Sequence, residues 1–557
     1  MAWQFATRLT RTFCTAGLLI GTLFFAASLT PSLLPRSPFI QGMLSGFAFA
    51  CGYTIGVAAR WLWTYLELPP PSQRTSRLIK SIAAVVCVGT ALVFLWRAAE
   101  WQNSIRRLME LAPVEGAQPL QVGLIALAVF AVLLAVARLF RWTVLTLSKH
   151  LRRIIPRPVA SVIGVTVATV LFWSIANGIL FSSALRMADS SFQQLDALIE
   201  SDVEAPTDPS QVGSSQSHIS WRDLGRRGRQ FVAETPTTQE LSDFLGGNSA
   251  APIRVYVGLN SARTVEARAR LALEELKRVG GFKRSTLILV TPTGTGWIDP
   301  PGIRSIEYLL RGDVASVAVQ YSYLASWLAL LTEPGYGAES ARALFKAVYD
   351  HWTSLPRDSR PRLFLYGLSL GAMNSDLSAD LFDIIADPFH GALWAGPPFT
   401  SRTWNTATRG RQPNSPAWLP EFRDGSIIRF SNQTKTLHRP NQAWGPIRIG
   451  FLQYASDPIT FFSPTILYRQ PDWLSSPRGP DVSDQLQWLP IVTFLQLAAD
   501  IPAATDAPNG HGHVFAAAHY VDAWREIAEP KGWSDADIDR LKALLTQQNP
   551  DSSSTAP

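Results

Sequence analysis

The run Gly367-Leu368-Ser369-Leu370-Gly371 carries the clearest chemical signal in the sequence. A serine that attacks a carbonyl needs exposure at a sharp turn, a base within reach, an acid to orient that base, and N–H donors for the developing oxyanion. Glycines flanking Ser369 remove side chains that would clash in a strained strand-to-helix turn. The apolar segment Arg362-Leu-Phe-Leu-Tyr366 leads directly into Gly367, and the Ala-Met-Asn-Ser run after Gly371 is compatible with a helix. Ser369 is therefore the candidate nucleophile, with Gly367 and Gly371 as its turn residues.

The base is sought among eight histidines, in a loop near the C-terminal end and after the acid. Asn509-Gly510-His511-Gly512-His513-Val514-Phe515 has that place and composition. His513 is favoured because it stands at the loop-to-helix junction, with His511 as the alternative, while His519 falls inside the following helical pattern and reads as structural. A His-x-His pair could also hold a metal, but the region offers no cysteine and no H-E-x-x-H arrangement. No metal and no cofactor is expected.

The acid should close a strand between serine and histidine. Asp457 follows Ile449-Gly-Phe-Leu-Gln-Tyr-Ala-Ser456 and precedes Pro458, which ends the strand. Asp424, Asp472, Asp484 and Asp500 are weaker candidates, none after so clear a strand. Oxyanion donors are expected from the amide of Leu370 and from the loop Thr291-Pro-Thr-Gly-Thr-Gly-Trp297, where Thr293, Gly294 and Thr295 are the candidates. That loop lacks the lysine of a phosphate-binding P-loop.

These residues need a scaffold. Short β-branched runs alternate with amphipathic helical ones from about Ile253 onward, which predicts a mostly parallel sheet with helices on both faces. Strands are expected at 253–259, 286–291, 314–321, 362–366, 392–395, 427–430 and 449–454, and helices at 264–279, 305–310 and 338–355.

The N-terminal third differs. The chain has 557 residues, 47% hydrophobic and only 17% charged, and its long apolar runs lie before about Asp189. About five stretches approach the roughly 20 apolar residues needed to span a bilayer as a helix: 13–34, 39–66, 78–96, 120–140 and 159–185. All three cysteines, Cys14, Cys51 and Cys87, fall in this part, so the remainder can form no disulfide. A net charge of +7 raises nucleic acid as a partner, but the basic residues flank apolar stretches or alternate with acids, so none is expected.

Basic residues gather before the first stretch (Arg8, Arg11), after the second (Arg74, Arg77, Lys80) and after the fourth (Arg141, Lys149, Arg152, Arg153, Arg157), and acids follow the last. Positive loops resist translocation, so this alternation predicts a cytoplasmic N-terminus and a C-terminal domain on the outer side. The expected domains are 1–190 transmembrane, 191–217 a Ser/Gln/Asp/Pro-rich linker, 218–546 catalytic, and 547–557 a disordered tail.

With these residues assembled, the chain resembles the α/β-hydrolase superfamily. More narrowly it is similar to the bacterial integral-membrane α/β-hydrolase family, which joins a hydrophobic helical N-terminal domain to a catalytic domain. The resemblance rests on 252–258, 291–297, 366–371, 455–458 and 510–513. It implies an α/β-hydrolase fold, a location in the bacterial cytoplasmic membrane, and hydrolase chemistry through Ser369, Asp457 and a histidine of the last motif. The expected function is esterase or lipase-like cleavage of a hydrophobic ester or acyl substrate beside the lipid bilayer. Acyl transfer by the same triad, or a non-catalytic assembly module, are the alternatives. Trp394, Phe399, Trp404 and Trp418 fall near the expected mouth of the site, where a hydrophobic substrate and ordinary core packing explain them equally well.

Overall fold

A computed structural model of the chain describes residues 13–69, 72–116, 118–181, 196, 204–324 and 335–548. The chain divides into two compact units: Met1–Arg186 with Ser463–Leu474 and Asp481–Ala503, and Met187–Phe462 with Ser475–Pro480 and Ala504–Pro557.

The first unit is helical: α1 Thr15–Ser28, α2 Pro38–Tyr65, α3 Gln73–Leu108, α4 Pro119–Leu151 and α5 Arg157–Trp173, the last continuing as a π-helical turn over Ser174–Phe181. Four of these, α2, α3, α4 and Arg157–Gly178, are long and apolar enough to cross a membrane. The stretch expected as a first span instead yields the 14-residue α1. At about 1.5 Å per residue it reaches about 21 Å, short of a hydrocarbon core about 30 Å thick. It stops because Leu29 and Thr30 turn their amides back to Ala26 and Ala27 and Pro31 has no amide to continue with. The last expected span runs past Phe181 and so partly outside the described residues.

Glycines bring these helices into contact. A methyl on Gly56 would sit 2.5 Å from the Ala16 carbonyl, and one on Gly52 would sit 2.6 Å from that of Ile20. Gly42 and Gly46 similarly face Ile125 and Val129. Paired small residues one turn apart allow the close backbone approach that packs helices where lipid removes the hydrophobic drive. Facing outward, α3 leaves Leu78, Ile82, Val85, Val88 and Leu92 exposed, a surface suited to hydrocarbon.

The helical unit also takes in residues that the sequence reading places in the catalytic domain 218–546. The helix Val492–Asp500 packs on α1 and α2. Asp500, one of the weaker acid candidates, is spent there: Arg36 Nε lies 2.7 Å from its Oδ1, with both side chains fully buried. The Leu33 amide donates to the other oxygen at 3.1 Å. Arg36 reaches Gln41 Oε1 at 3.0 Å, its amide donates to Gln102 Oε1 at 2.9 Å, and Gln496 Nε2 donates to the Thr30 carbonyl at 2.9 Å.

The second unit holds a seven-stranded sheet: β1 Ile253–Val257, β2 Thr286–Thr291, β3 Val314–Val319, β4 Arg362–Leu368, β5 Gly391–Ala395, β6 Ile428–Ser431 and β7 Arg448–Leu452. Their order is β1-β3-β2-β4-β5-β7-β6, and every pair is parallel. Parallel strands are joined by crossovers that cover both faces, so their side chains are buried on both sides. The helices Val265–Arg278 and Tyr336–Ser354 pack on each other, and Pro300–Leu309, Ala517–Ala528 and Asp535–Gln548 form another packed group. Each expected strand is present within two or three residues of its predicted ends.

The expected linker is only partly one. Residues 204–217 fold as turns against the helix Val265–Arg278, with Arg278 Nη1 donating to the Pro209 carbonyl at 2.6 Å, Ser217 Oγ donating to Glu275 at 2.6 Å, and Val212 buried. Most of 191–203 lies outside the described residues, as does 549–557, and the last helix runs to Gln548, just past the expected start of the tail.

Removing one partner of a buried ion pair costs about 3–5 kcal/mol, because the remaining charge stays in a poorly solvating interior. Arg36→Ala should therefore lower the thermal unfolding midpoint of the detergent-solubilised full chain. An Arg36→Met, Asp500→Leu double variant should recover most of the loss. A single variant that melts with the wild type would contradict this account of the pair.

Candidate active site

β4 ends at Leu368, and the next residue, Ser369, has φ 57° and ψ −126° before the helix Leu370–Asp376 begins. A non-glycine residue there stores about 1–3 kcal/mol of strain, held by the structure around it. Its neighbours explain how the turn closes. A side chain at Gly367 would strike the Gly371 backbone, and one at Gly371 would strike the Thr291 carbonyl. The two glycines thus press the turn onto itself and onto the start of the Thr291–Trp297 loop. The Ser369 amide is tied to the Ala395 carbonyl at the end of β5, 2.9 Å away.

Asp457 follows β7 and is fully buried. It caps the short helix Pro458–Phe461: its Oδ1 accepts from the Ile459 amide at 2.8 Å and its Oδ2 from Thr460 Oγ1 at 3.0 Å. Oδ2 also lies 2.7 Å from His513 Nδ1. An ionised carboxylate only accepts, so this contact puts the ring proton on Nδ1 and leaves Nε2 as the basic lone pair.

The loop around His513 is tightly specified. Gly510 and Gly512 take φ 87° and 55°, the Gly512 amide donates to Ser456 Oγ at 2.8 Å, and the His513 amide donates to the Ala504 carbonyl at 2.9 Å. A methyl on Gly396, the residue after β5, would sit 2.5 Å from His513 Cε1. The imidazole thus lies over the end of the same strand whose last carbonyl holds the Ser369 amide. Neither Ser369 Oγ nor His513 Nε2 has a hydrogen-bond partner among the described residues, and Nε2 is buried.

His511 is not joined to Asp457; its backbone makes an isolated bridge with Val514. His519 lies in the helix Ala517–Ala528 with Nδ1 2.6 Å from the Tyr454 hydroxyl. Burial, with charge from Lys542 and His511, pushes its pKa down to about 4, consistent with a structural role.

Of the expected oxyanion donors, Leu370 opens its helix, so its amide has no acceptor within that helix. Thr293 is a correction: its amide is spent on the Trp297 carbonyl at 2.9 Å, closing the loop on itself. Gly294 and Thr295 lie at the tip of that turn. The Gly296 amide returns to the Thr293 carbonyl at 3.0 Å. Of the two readings of the tryptophans, core packing fits the structure. Trp394, Trp404 and Trp418 are buried, with indole nitrogens tied to Ser375, Gln453 and the Pro477 carbonyl. Phe399 is half-buried.

One acid beside the site escaped the sequence reading. Asp299 stands before the helix Pro300–Leu309 and is 5% exposed. Burial pushes its pKa up to about 7, with the Tyr520 hydroxyl and the His513 ring pulling the other way. The Asp299-Pro300-Pro301 string after a glycine loop is a helix-start signal that could have drawn attention to it.

A family model described as "Alpha/beta-hydrolase family" matches residues 253–541. One described as "Alpha/beta-hydrolase family N-terminus" matches residues 29–236. No curated protein and no solved structure matches the chain.

Asp299 makes folding pH-dependent in a definite direction. With a folded pKa of about 7 against an ordinary 3.8, the folded chain binds the extra proton in between. Its contribution to stability is thus full below about 4 and lost as pH rises to about 7. Thermal melts from pH 4 to 8 should show the wild type losing stability relative to Asp299→Asn. Parallel curves for the two proteins would contradict the assignment.

Proposed function

The chain belongs to the alpha/beta-hydrolase family, and from that premise we propose that it is a membrane-anchored serine hydrolase that cleaves an ester of a hydrophobic acyl group. The observation that carries the reading is the buried Asp457–His513 contact at 2.7 Å, set beside the strained Ser369 turn at the end of β4.

Ser369 Oγ attacks the acyl carbon while His513 Nε2 takes its proton. Asp457 holds the ring in the tautomer that leaves Nε2 free and stabilises the imidazolium that forms. The Leu370 amide, with one from the tip of the Thr291–Trp297 loop, faces the developing oxyanion. His513 then returns its proton to the departing alcohol, and water, activated by the same nitrogen, releases the acid. Asp457 is suited to this because three donors stabilise its charge without solvent.

The four long apolar helices support a multi-pass anchor. The proposed setting is the bacterial cytoplasmic membrane with the catalytic unit outside. Lys and Arg collect after α2 and α4, on the side that would stay cytoplasmic; Arg8 and Arg11 lie outside the described residues. A reporter that works only after export, fused to the C-terminus, should be active; activity confined to cytoplasmic reporters would overturn the orientation.

Hydrolysis of p-nitrophenyl esters graded by chain length, by the full chain in detergent, tests the roles. Ser369→Ala and His513→Ala should each reduce kcat by about 10³-fold or more. Asp457→Asn should also fall steeply, through loss of the productive tautomer, while His511→Ala should stay within a few-fold of wild type. Loss in His511→Ala with retention in His513→Ala would reverse the assignment of the base.

A further inference from the structure

The loop Thr291–Trp297 is held at its tip by two strands to which it does not belong. Within the loop, the Gly296 amide donates to the Thr293 carbonyl at 3.0 Å and the Thr293 amide to the Trp297 carbonyl at 2.9 Å. With Gly296 at φ 83°, this is a three-residue turn, Gly294-Thr295-Gly296, closed by a glycine bulge. The two internal bonds use the amides of Thr293 and Gly296 and not that of Thr295, which is half-buried at the tip. The carbonyls of Thr295 and Gly296 are taken by side chains from elsewhere in the sheet.

Tyr256 of β1 donates its hydroxyl to the Gly296 carbonyl at 2.8 Å. It is in register with Ala318 of β3, and Ala318 with Val290 of β2. Residues directly in register face the same side of the sheet, so only an alanine side chain separates the phenol from the strand that leads into the loop. Gly228 makes room for the ring, since a methyl there would strike Tyr256 Cδ1. Gln320, the residue after β3, donates from Nε2 to the Thr295 carbonyl at 3.4 Å and to the Ser322 carbonyl at 3.3 Å. Its Oε1 accepts the Leu259 amide at 3.1 Å, and its side chain also hydrogen-bonds the Asp196 carboxylate. Tyr256 and Gln320 are both fully buried. The start of the loop is pressed by the nucleophile turn, because a methyl on Gly371 would strike the Thr291 carbonyl.

Burying a phenol hydroxyl and a carboxamide costs free energy unless each finds a partner, and here the partners include two consecutive carbonyls of one glycine-rich turn. Such a turn has wide backbone freedom on its own, whereas oxyanion donors are effective only when already aimed as charge develops. We propose that Tyr256 and Gln320 are positioning residues of the ester-cleaving site. By holding the Gly296 and Thr295 carbonyls, they fix the loop tip, with the Thr295 amide, for the developing oxyanion. The inference rests on the hydrolase reading and adds to it the residues outside the loop that preorganise its donors. A role of this kind acts on the transition state more than on substrate binding, so it shows in kcat and in ligands that carry an oxyanion.

An alkyl trifluoromethyl ketone separates aim from fold. Ser369 Oγ adds to its carbonyl carbon, the serine proton passes to His513, and the carbonyl oxygen becomes an oxyanion; the matching trifluoromethyl carbinol binds without that charge. In the full chain in detergent, Tyr256→Phe and Gln320→Met should each lower kcat for p-nitrophenyl esters about tenfold or more and leave KM within about twofold. Each should weaken the ketone by a similar factor while the carbinol binds as it does to wild type. The two residues come from different strands, so one variant still decides if the other does not fold. Folded variants that lose thermal stability but keep wild-type kcat and ketone affinity would make both residues core residues and overturn the inference, leaving the hydrolase reading intact. A wild-type chain that neither cleaves the esters nor takes up the ketone would overturn both.

Discussion

The contact on which the account depends is the one between Asp457 and His513. A carboxylate with no solvent exposure is tolerable only if donors replace water on both oxygens, and here the Ile459 amide, Thr460 Oγ1 and His513 Nδ1 do so. The same bonds fix the imidazole over the end of β5. That strand also holds the Ser369 amide, so the Ser369 turn and the His513 ring are referred to one piece of backbone rather than to two independent loops.

The chain between Asp457 and His513 takes a long route. Six residues after Asp457 it joins the helical unit at Ser463, returns to the second unit over Ser475–Pro480, and leaves the helical unit for the last time at Ala503. The next residue, Ala504, accepts the His513 amide. The excursion is secured within the helical unit by the Arg36–Asp500 pair and by Gln496 on the Thr30 carbonyl. Two consequences follow from chain continuity alone. Cutting the protein at the expected linker would strip the excursion of its buried partners. The helical unit also takes in most of the segment that leads from Asp457 to His513.

What was legible in the sequence was local. The strands showed as β-branched runs bounded by turn residues, and the serine turn as two glycines needed for close backbone approach. Asp457 showed as an acid between a strand and the proline that ends it. The unread features are long-range. Nothing near Arg36 marks a partner 464 positions away in the chain, and a Ser/Gln/Pro-rich stretch gives no hint that Arg278 and Glu275 will pin it. The α1 stretch was apolar enough for a span, but Pro31 and the turn before it decided its length. The tryptophans near the expected mouth could be read as substrate-facing or core, since aromatic residues read the same in either role, and they are buried. Thr293 failed as an oxyanion donor because a tight turn consumes its amide, a detail of backbone geometry that composition does not encode. His513 could be preferred to His511 on position, but the contact of its ring with Asp457 is visible only in the fold.

The central claim is that Ser369 is an activated nucleophile. Treating the full chain with a fluorophosphonate and mapping the adduct by peptide mass spectrometry tests it most directly. The account predicts a single phosphonylated peptide bearing the adduct on Ser369, absent from Ser369→Ala. A wild-type protein that stays unmodified, or an adduct that persists elsewhere in Ser369→Ala at the wild-type level, would contradict it.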